Sequence, residues 1–238
     1  DPATSAGYML PAEFSLDPVT FVASLAAHIA AAGAEIRTGL TARRIGSGAS
    51  VVCVDASGAE ATVAGDRVVV AAGAWTSPIL RRSGIRSARI VAGKGYSYTV
   101  PVEVMPKRLV HANDLHCVAI PMHDRLRIVG MMEFDGRPAY LNPRRIAVLT
   151  NAASKLLVGA DWERRTDEWV GARPMTADGM PLLGHAPGRP EIVVAAGHNM
   201  HGLSHAPVTG EAVADLVAGR PAAPGGSAID IAPFAVRR

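Results

Sequence analysis

Asp66-Arg67-Val68-Val69-Val70-Ala71-Ala72-Gly73-Ala74-Trp75 is the stretch on which the fold turns. Consecutive valines with no polar alternation read as a strand covered on both faces, the habit of parallel sheets. The run ends in glycine, which lets backbone approach a ligand closely. Far downstream, Ile192-Val193-Val194-Ala195-Ala196-Gly197 has the same form. Two such segments predict an α/β scaffold. Each taken singly is equally an ordinary core strand.

Working outward, Asp17-Pro18 opens a helix: Asp17 caps free N–H groups and Pro18 has none to satisfy. Phe21, Val22, Leu25, Ile29 and Ala32 recur at helical spacing up to Gly33. Ala34–Thr38 then reads as a short strand, so helix, glycine and strand form half of a βαβ unit. Ser50–Asp55 and Glu60–Val63 read as a hairpin. Residues 88–135 are mostly β, with strands around Ile90, Tyr96–Val100, His116–Ile120 and Leu126–Met132. Asn142-Pro143 begins a helix to about Leu157, and Trp162–Val170 is extended. A last helix runs from Ala206 to Ala218, and the Pro/Gly/Ala-rich tail from Arg220 reads as exposed. The changes of period divide the chain into residues 1–87, 88–170, 171–219 and 220–238. The first and third belong to one α/β domain and the second is a β-rich insertion.

The 238 residues carry 24 Lys+Arg against 21 Asp+Glu, a net charge of +3 that is scattered along the chain. No basic run marks a nucleic-acid partner, and 5% aromatics argue against a base-stacking binder. The longest apolar stretch, Phe21–Ala32, is too short to span a bilayer. Two cysteines exclude a disulfide scaffold and fit a cytoplasmic chain, with a membrane-peripheral position left open. The chain opens at Asp1 without a secretory pattern, which implies a processed product or a piece of something longer.

Three further segments carry candidate chemistry. Gly171-Ala172-Arg173-Pro174-Met175-Thr176-Ala177-Asp178-Gly179 presents one arginine in what reads as a stiff loop, suited to fixing a guanidinium on a carboxylate. A surface arginine in a turn is the bland alternative. Gly197-His198-Asn199-Met200-His201-Gly202-Leu203-Ser204 joins a strand to a helix whose first N–H groups favour an electron-rich oxygen. His198, His201 and His205 also allow a metal site, but no carboxylate completes the set and Gly202 and Pro207 interrupt the spacing. In Lys94-Gly95-Tyr96-Ser97, the tyrosine either lines a substrate pocket or simply starts a strand. No G-x-G-x-x-G follows any strand, and no phosphate-binding G-x-x-x-x-G-K loop is present.

Taken in order, Val70–Trp75, Lys94–Ser97, Gly171–Gly179 and Gly197–Gly210 resemble the FAD-dependent D-amino-acid oxidase superfamily, on the branch of D-amino-acid dehydrogenases and glycine oxidase. Val129–Gly136 and Asn142–Arg145 are similar to the dehydrogenases. The resemblance implies an incomplete Rossmann-like FAD-binding domain with an inserted antiparallel substrate sheet, α/β and α+β in class. It implies FAD as cofactor and an amino acid as substrate, oxidised by hydride transfer to the flavin. Arg173 matches the substrate-carboxylate arginine, and Tyr96 and His201 are the other candidate catalytic residues. His201, Gly202, Leu203 and Ser204 match the turn at the flavin pyrimidine edge, with Gly197 ahead of it. Gly73, Ala74 and Trp75 match the strand end beside the cofactor. Ala42 matches a position whose backbone reads adenine. The family's N-terminal G-x-G-x-x-G segment has no counterpart here, so a missing segment or chain is expected to hold the FAD pyrophosphate. The alternative is a non-catalytic fragment unable to hold FAD by itself.

Overall fold

The computed structural model describes residues 6–11, 16–122 and 124–237. It opens with α1 (Pro18–Ala31), β1 (Thr41–Ile45), β2 (Ser50–Val54), β3 (Glu60–Ala64), β4 (Val68–Val70) and α2 (Thr76–Arg82). The middle of the chain forms β5 (Val91–Val100), β6 (Val110–Ala112), β7 (Cys117–Met122), β8 (Arg125–Glu133) and α3 (Pro143–Ser154). Then follow β9 (Thr166–Met175), β10 (Leu182–Ala186), β11 (Arg189–Ala196) and α4 (Gly202–Val217). Two compact units result: Asp1–Arg37 with Lys94–Glu133 and Ala139–Gly171, and Thr38–Gly93 with Phe134–Pro138 and Ala172–Arg238.

In the first unit, α1 is capped as its sequence predicts, Val19 N donating to Asp17 Oδ1 at 3.0 Å. The helix buries none of its residues. The substrate-sheet candidate is a five-stranded sheet in the order β6-β7-β8-β5-β9. Strand alternation sends Tyr96, Tyr98 and Val100 of β5 and Leu126 and Ile128 of β8 to one face. There they meet Ile146, Leu149 and Ala153 of α3 in a closed apolar core. Helix α3 starts where Asn142 accepts from Arg144 N at 3.1 Å. Between the pairs Lys94↔Glu133 and Tyr96↔Gly130, β8 has one residue more than β5. This bulge holds Met131 at φ 69°, a conformation costly for an unbranched non-glycine residue. Gly130 beside it allows a close approach: a Cβ there would sit 2.5 Å from the His116 carbonyl.

In the second unit, β1, β2 and β3 form an antiparallel meander, and β10, β11 and β4 a second sheet in that order. The two Val-rich segments lie side by side, β11 and β4 being parallel with Ile192↔Val68 and Val194↔Val70 in register. Val70, Ile192, Val194, Ile79, Leu80 and Ile90 share one core, while Val193 packs with Ala212 and Leu216 of α4 on the other side. Buried Ser77 of α2 joins this unit's loops, donating to Ala88 O at 2.8 Å and accepting from Ile90 N at 2.7 Å.

Several expectations need correction. Ala34–Thr38 is not a strand. A strand exists only through a ladder, and none of the sheets includes this segment, where Ile36 stays exposed. Val69 is 42% exposed, because β4 is the edge of its sheet and not a strand covered on both faces. The extended segment predicted at Trp162–Val170 begins with a short helical turn and becomes strand only from Thr166. That strand continues to Met175, so Arg173 stands in β9 and not in a loop. Proline is tolerated in such a strand where its N–H is not needed. Helix α4 starts four residues earlier than predicted, with Pro207 inside it. The tail is packed, with Ala222 and Val236 buried. Its glycines and prolines make turns, and Asp215 accepts from Ala223 N at 2.9 Å.

Candidate active site

Of the parallel strands, β11 runs directly into Gly197 at φ 80° and β4 is followed, after Ala71 and Ala72, by Gly73 at φ 53°, both glycines in the left-handed region. The C-terminal end of a parallel pair is where open α/β sheets bind ligands. A Cβ placed on Gly73 would meet nothing within 4 Å, so the space over this turn is open to a flat group. At Gly197 the space is filled: a Cβ would lie 2.7 Å from Thr176 Cγ2. Gly73–Trp75 is a single tight turn in which Ala74 is buried and Trp75 is 52% exposed.

Helix α4 begins beside this edge without a side-chain cap from His201. The N–H groups of Gly202, Leu203 and Ser204 are the orphans of its first turn, and all three residues are exposed. Together with the helix dipole they form a donor set suited to the electron-rich carbonyl edge of a flavin. The open face at Gly73 and these free donors fit FAD. When bound, FAD supplies a two-electron acceptor. Ala42 lies in β1 opposite Cys53, half-buried, and offers only backbone polarity.

Arg173 is half-buried near the C-terminal end of β9, and burial pushes its guanidinium down from the ordinary value. A partly desolvated guanidinium gains from a carboxylate partner more than an exposed one does. The segment after Arg173 is bonded to the turn ahead of α4. Asn199 N donates to Pro174 O at 3.1 Å, and Thr176 N donates to Asn199 Oδ1 at 3.0 Å. Asn199 Nδ2 reaches the carbonyls of Gly179 and Gly197, each at 2.9 Å, and Thr176 Oγ1 at 3.2 Å. Asn199 itself sits at φ 54°, a conformation asparagine tolerates better than most residues.

The three histidines lie close together. His201 stacks on His205 with centroids 5.7 Å apart, and His198 meets His205 edge-on at 6.2 Å. His198 Nε2 is 3.0 Å from Thr209 Oγ1, and burial, aided by His205, pushes its pKa down. Among the described residues no group of three or more His, Cys, Asp or Glu side chains is arranged to hold a metal ion.

Arg173, Gly73–Trp75, Ala42 and Gly197–Ser204 all belong to the second unit. Tyr96 belongs to the first, fully buried, its hydroxyl donating to Glu133 Oε2. Glu133 also accepts from Arg145 Nε at 2.7 Å and pairs with Lys94 Nζ at 3.0 Å. Lys94 is wholly buried, donates to Tyr140 O at 3.0 Å and lies 5.6 Å from the Tyr96 ring centroid. Hydrogen bonding from Tyr96 and Arg145, with Lys94 adding to it, holds the Glu133 carboxyl at about 2. Sequence reasoning missed Glu133 and Asn199. An asparagine between two glycines in a strand-to-helix turn was a usable signal for Asn199, whereas nothing local marks Glu133 as the partner of a lysine on another strand.

The chain is similar to known flavoenzymes along nearly its whole length. It is 34% identical over 221 residues to the D-amino acid dehydrogenase of Paramagnetospirillum magneticum, covering 91% of this chain and 51% of the relative. It is 30% identical over 241 residues to the glycine oxidase of Geobacillus kaustophilus, covering 99% and 61%. The crystal structure of glycine oxidase from Geobacillus kaustophilus superposes with a TM-score of 0.76 at 32% identity, over 91% of this chain and 56% of that one. The chain thus spans about half the length of the curated relatives it matches. No described helix is long and apolar enough to cross a membrane. With residues 1–216 matching the family model for FAD dependent oxidoreductases, the chain belongs to the DAO family of FAD-dependent oxidoreductases.

Proposed function

We propose that this chain supplies the substrate clamp and the flavin-edge turn of an enzyme that oxidises a D-amino acid or a related amino acid with FAD. The observation that carries the reading is the open edge formed by β4, β11 and the uncapped start of α4, on the same compact unit as half-buried Arg173. Arg173 holds the substrate carboxylate in a bidentate pair, which fixes the α-carbon and leaves the amine free. The N–H groups of Gly202, Leu203 and Ser204 stabilise negative charge at the pyrimidine edge of the cofactor. Gly73, Ala74 and Trp75 would border the bound cofactor, and Ala42 would offer backbone polarity to its adenine. His201 is assigned to the substrate side, whereas Tyr96 is fully buried in the first unit and its hydroxyl donates to Glu133. Residues 88–170 serve as the substrate domain, and residues 1–87 and 171–219 as part of the FAD domain.

A segment bearing G-x-G-x-x-G, outside these 238 residues, completes the FAD site. Two observations support this: β4 ends its sheet with Val69 exposed, and the chain matches only half of its relatives' length. The buried free thiols Cys53 and Cys117 support a reducing, cytoplasmic compartment. The half-length match equally favours a second reading, a fragment that holds no flavin. Flavin absorbance in a purified preparation separates the two.

The test of the clamp is steady-state kinetics of Arg173→Ala and Arg173→Lys in the flavin-loaded protein, on D-alanine and on its decarboxylated analogue ethylamine. Losing a charged partner in a water-poor site costs about 2–5 kcal/mol, or roughly 30- to several-thousand-fold in kcat/KM, for the amino acid. Lys keeps the charge and loses the planar fork, so its loss is intermediate. Equal losses on both substrates, or none, refute the clamp.

A further inference from the structure

The proposed clamp and the proposed flavin-edge turn are separate in sequence, yet their mutual placement decides where a bound α-carbon sits. One side chain ties them. Asn199 stands two residues ahead of His201, and every polar atom of its amide is bonded to the strand end that follows Arg173, to that strand's loop, or to its own turn. Its Oδ1 accepts from Thr176 N at 3.0 Å. Its Nδ2 serves Gly179 O and Gly197 O at 2.9 Å and Thr176 Oγ1 at 3.2 Å. Its own N–H donates to Pro174 O, the residue after Arg173, at 3.1 Å. Thr176 Oγ1 in turn donates to Met180 O at 2.9 Å, closing the loop. The residue achieves this from a left-handed backbone, φ 54°, a local cost that the side-chain bonds offset.

We infer that Asn199 is a positioning residue: it fixes the backbone that carries the Arg173 guanidinium relative to the free N–H groups of Gly202, Leu203 and Ser204, and thereby sets where a carboxylate ligand lies over the flavin. The inference rests on the clamp reading above. Hydrogen bonds held by a single rigid amide restrict both partners at once, so the end of β9 that carries Arg173 and the turn ahead of α4 are held in one geometry. A misplacement of about 1 Å at such a site is enough to cost on the order of 100-fold in rate.

Asn199→Gly keeps the left-handed backbone and its N–H while deleting the amide. Asn199→Asp keeps the acceptor for Thr176 N and sets a carboxylate oxygen against the carbonyls of Gly179 and Gly197. Arg173→Ala is the reference. The ligand is benzoate, a carboxylate without an oxidisable amine. Its Kd is measured by calorimetry on the flavin-free chain, and by the visible difference spectrum of the flavin on the loaded protein, with thermal melts alongside. For Asn199→Gly the expectation is a Kd within about threefold of wild type without flavin. With flavin bound, the Kd weakens about tenfold and the spectral amplitude falls, because the guanidinium is present but no longer set against the turn. Asn199→Asp behaves likewise or worse. Unchanged binding and spectrum in the loaded Asn199→Gly protein overturn the inference. So does an equal loss with and without flavin, which reduces Asn199 to a structural role. If Arg173→Ala binds benzoate as wild type does, the clamp reading fails instead.

Discussion

Glu133→Gln tests the energetics of the first unit. The carboxylate it removes is 10% exposed and serves three donors: the Tyr96 hydroxyl, Arg145 Nε at 2.7 Å and Lys94 Nζ at 3.0 Å. Gln is nearly isosteric, so packing is kept and the charge is lost. The consequence falls chiefly on Lys94, whose side chain is fully buried and whose ammonium then faces a neutral amide. Breaking one side of a buried pair costs about 3–5 kcal/mol. Two features reduce this: Lys94 keeps its bond to Tyr140 O, and the amide oxygen still accepts from one donor. Arg145 is 42% exposed, and its pairing is worth about 1 kcal/mol or less. A net loss of about 2–4 kcal/mol at pH 7 follows, which lowers Tm by about 5–15 °C for a chain of this size. The pH dependence has a fixed sign. The Glu133 carboxyl is depressed from 4.5 to about 2, so its contribution is complete above pH 4.5 and is lost as pH falls toward 2. Urea midpoints of wild type and Glu133→Gln between pH 7 and pH 3 should therefore differ most above 4.5 and converge below it. A difference under about 1 kcal/mol at pH 7, or one that stays constant to pH 3, refutes the reasoning.

Other perturbations follow from equally local geometry. Gly130→Ala forces a methyl to 2.5 Å from the His116 carbonyl and 2.7 Å from Leu149 Cδ1, and should cost about 1–3 kcal/mol by denaturant titration. Ser77→Ala deletes two buried hydrogen bonds at 2.7 and 2.8 Å and leaves the Ile90 N–H without its partner, for a loss of about 2–3 kcal/mol. For His198, whose pKa burial and His205 push down, the stability it contributes is present above about pH 6.5 and lost as pH falls through its folded value. The imidazole resonances of His198 should thus titrate at lower pH than those of a free histidine, and His198→Gln should flatten stability below pH 6.5.

What was legible in the sequence was whatever depends on near neighbours. Asp17-Pro18 and Asn142-Pro143 marked α1 and α3 because a cap and a first-turn proline act within three residues. The two Val runs marked β4 and β11 because an apolar strand stopping at glycine is a local signature. Errors arose where a distant group decides the outcome. Arg173 looked like a loop residue because Pro174 and Gly171 flank it, yet β5 and the rest of its sheet draw the segment into β9. The tail looked exposed because it is rich in proline and glycine, yet Val236 joins a core with Val70 and Ile192. The Lys94–Glu133 pair joins two strands at a bulge, and no periodicity carries information about a bulge.

The converse misreading is the most informative. Phe21, Val22, Leu25 and Ile29 have the spacing of a buried helix face, and Val69 the character of a central strand, but all five are exposed. Their apolar pattern is a property of the sequence, while burial is a property of what lies against it. An amphipathic helix that buries no residue gains little from folding on its own, since helices of this length draw most of their stability from packing. An apolar edge strand with an unpaired ladder is a standing invitation to pair. Both features sit in a chain that matches only half the length of its relatives. The reading proposed above accounts for the second of them: the G-x-G-x-x-G segment that would hold the FAD pyrophosphate adds its strand at the edge of β4. On that reading, amide exchange along Val68–Val70 slows when this segment is supplied from the Geobacillus glycine oxidase relative, and flavin absorbance appears with it. Exchange at β4 that is unaltered while flavin binds would show that the segment docks elsewhere.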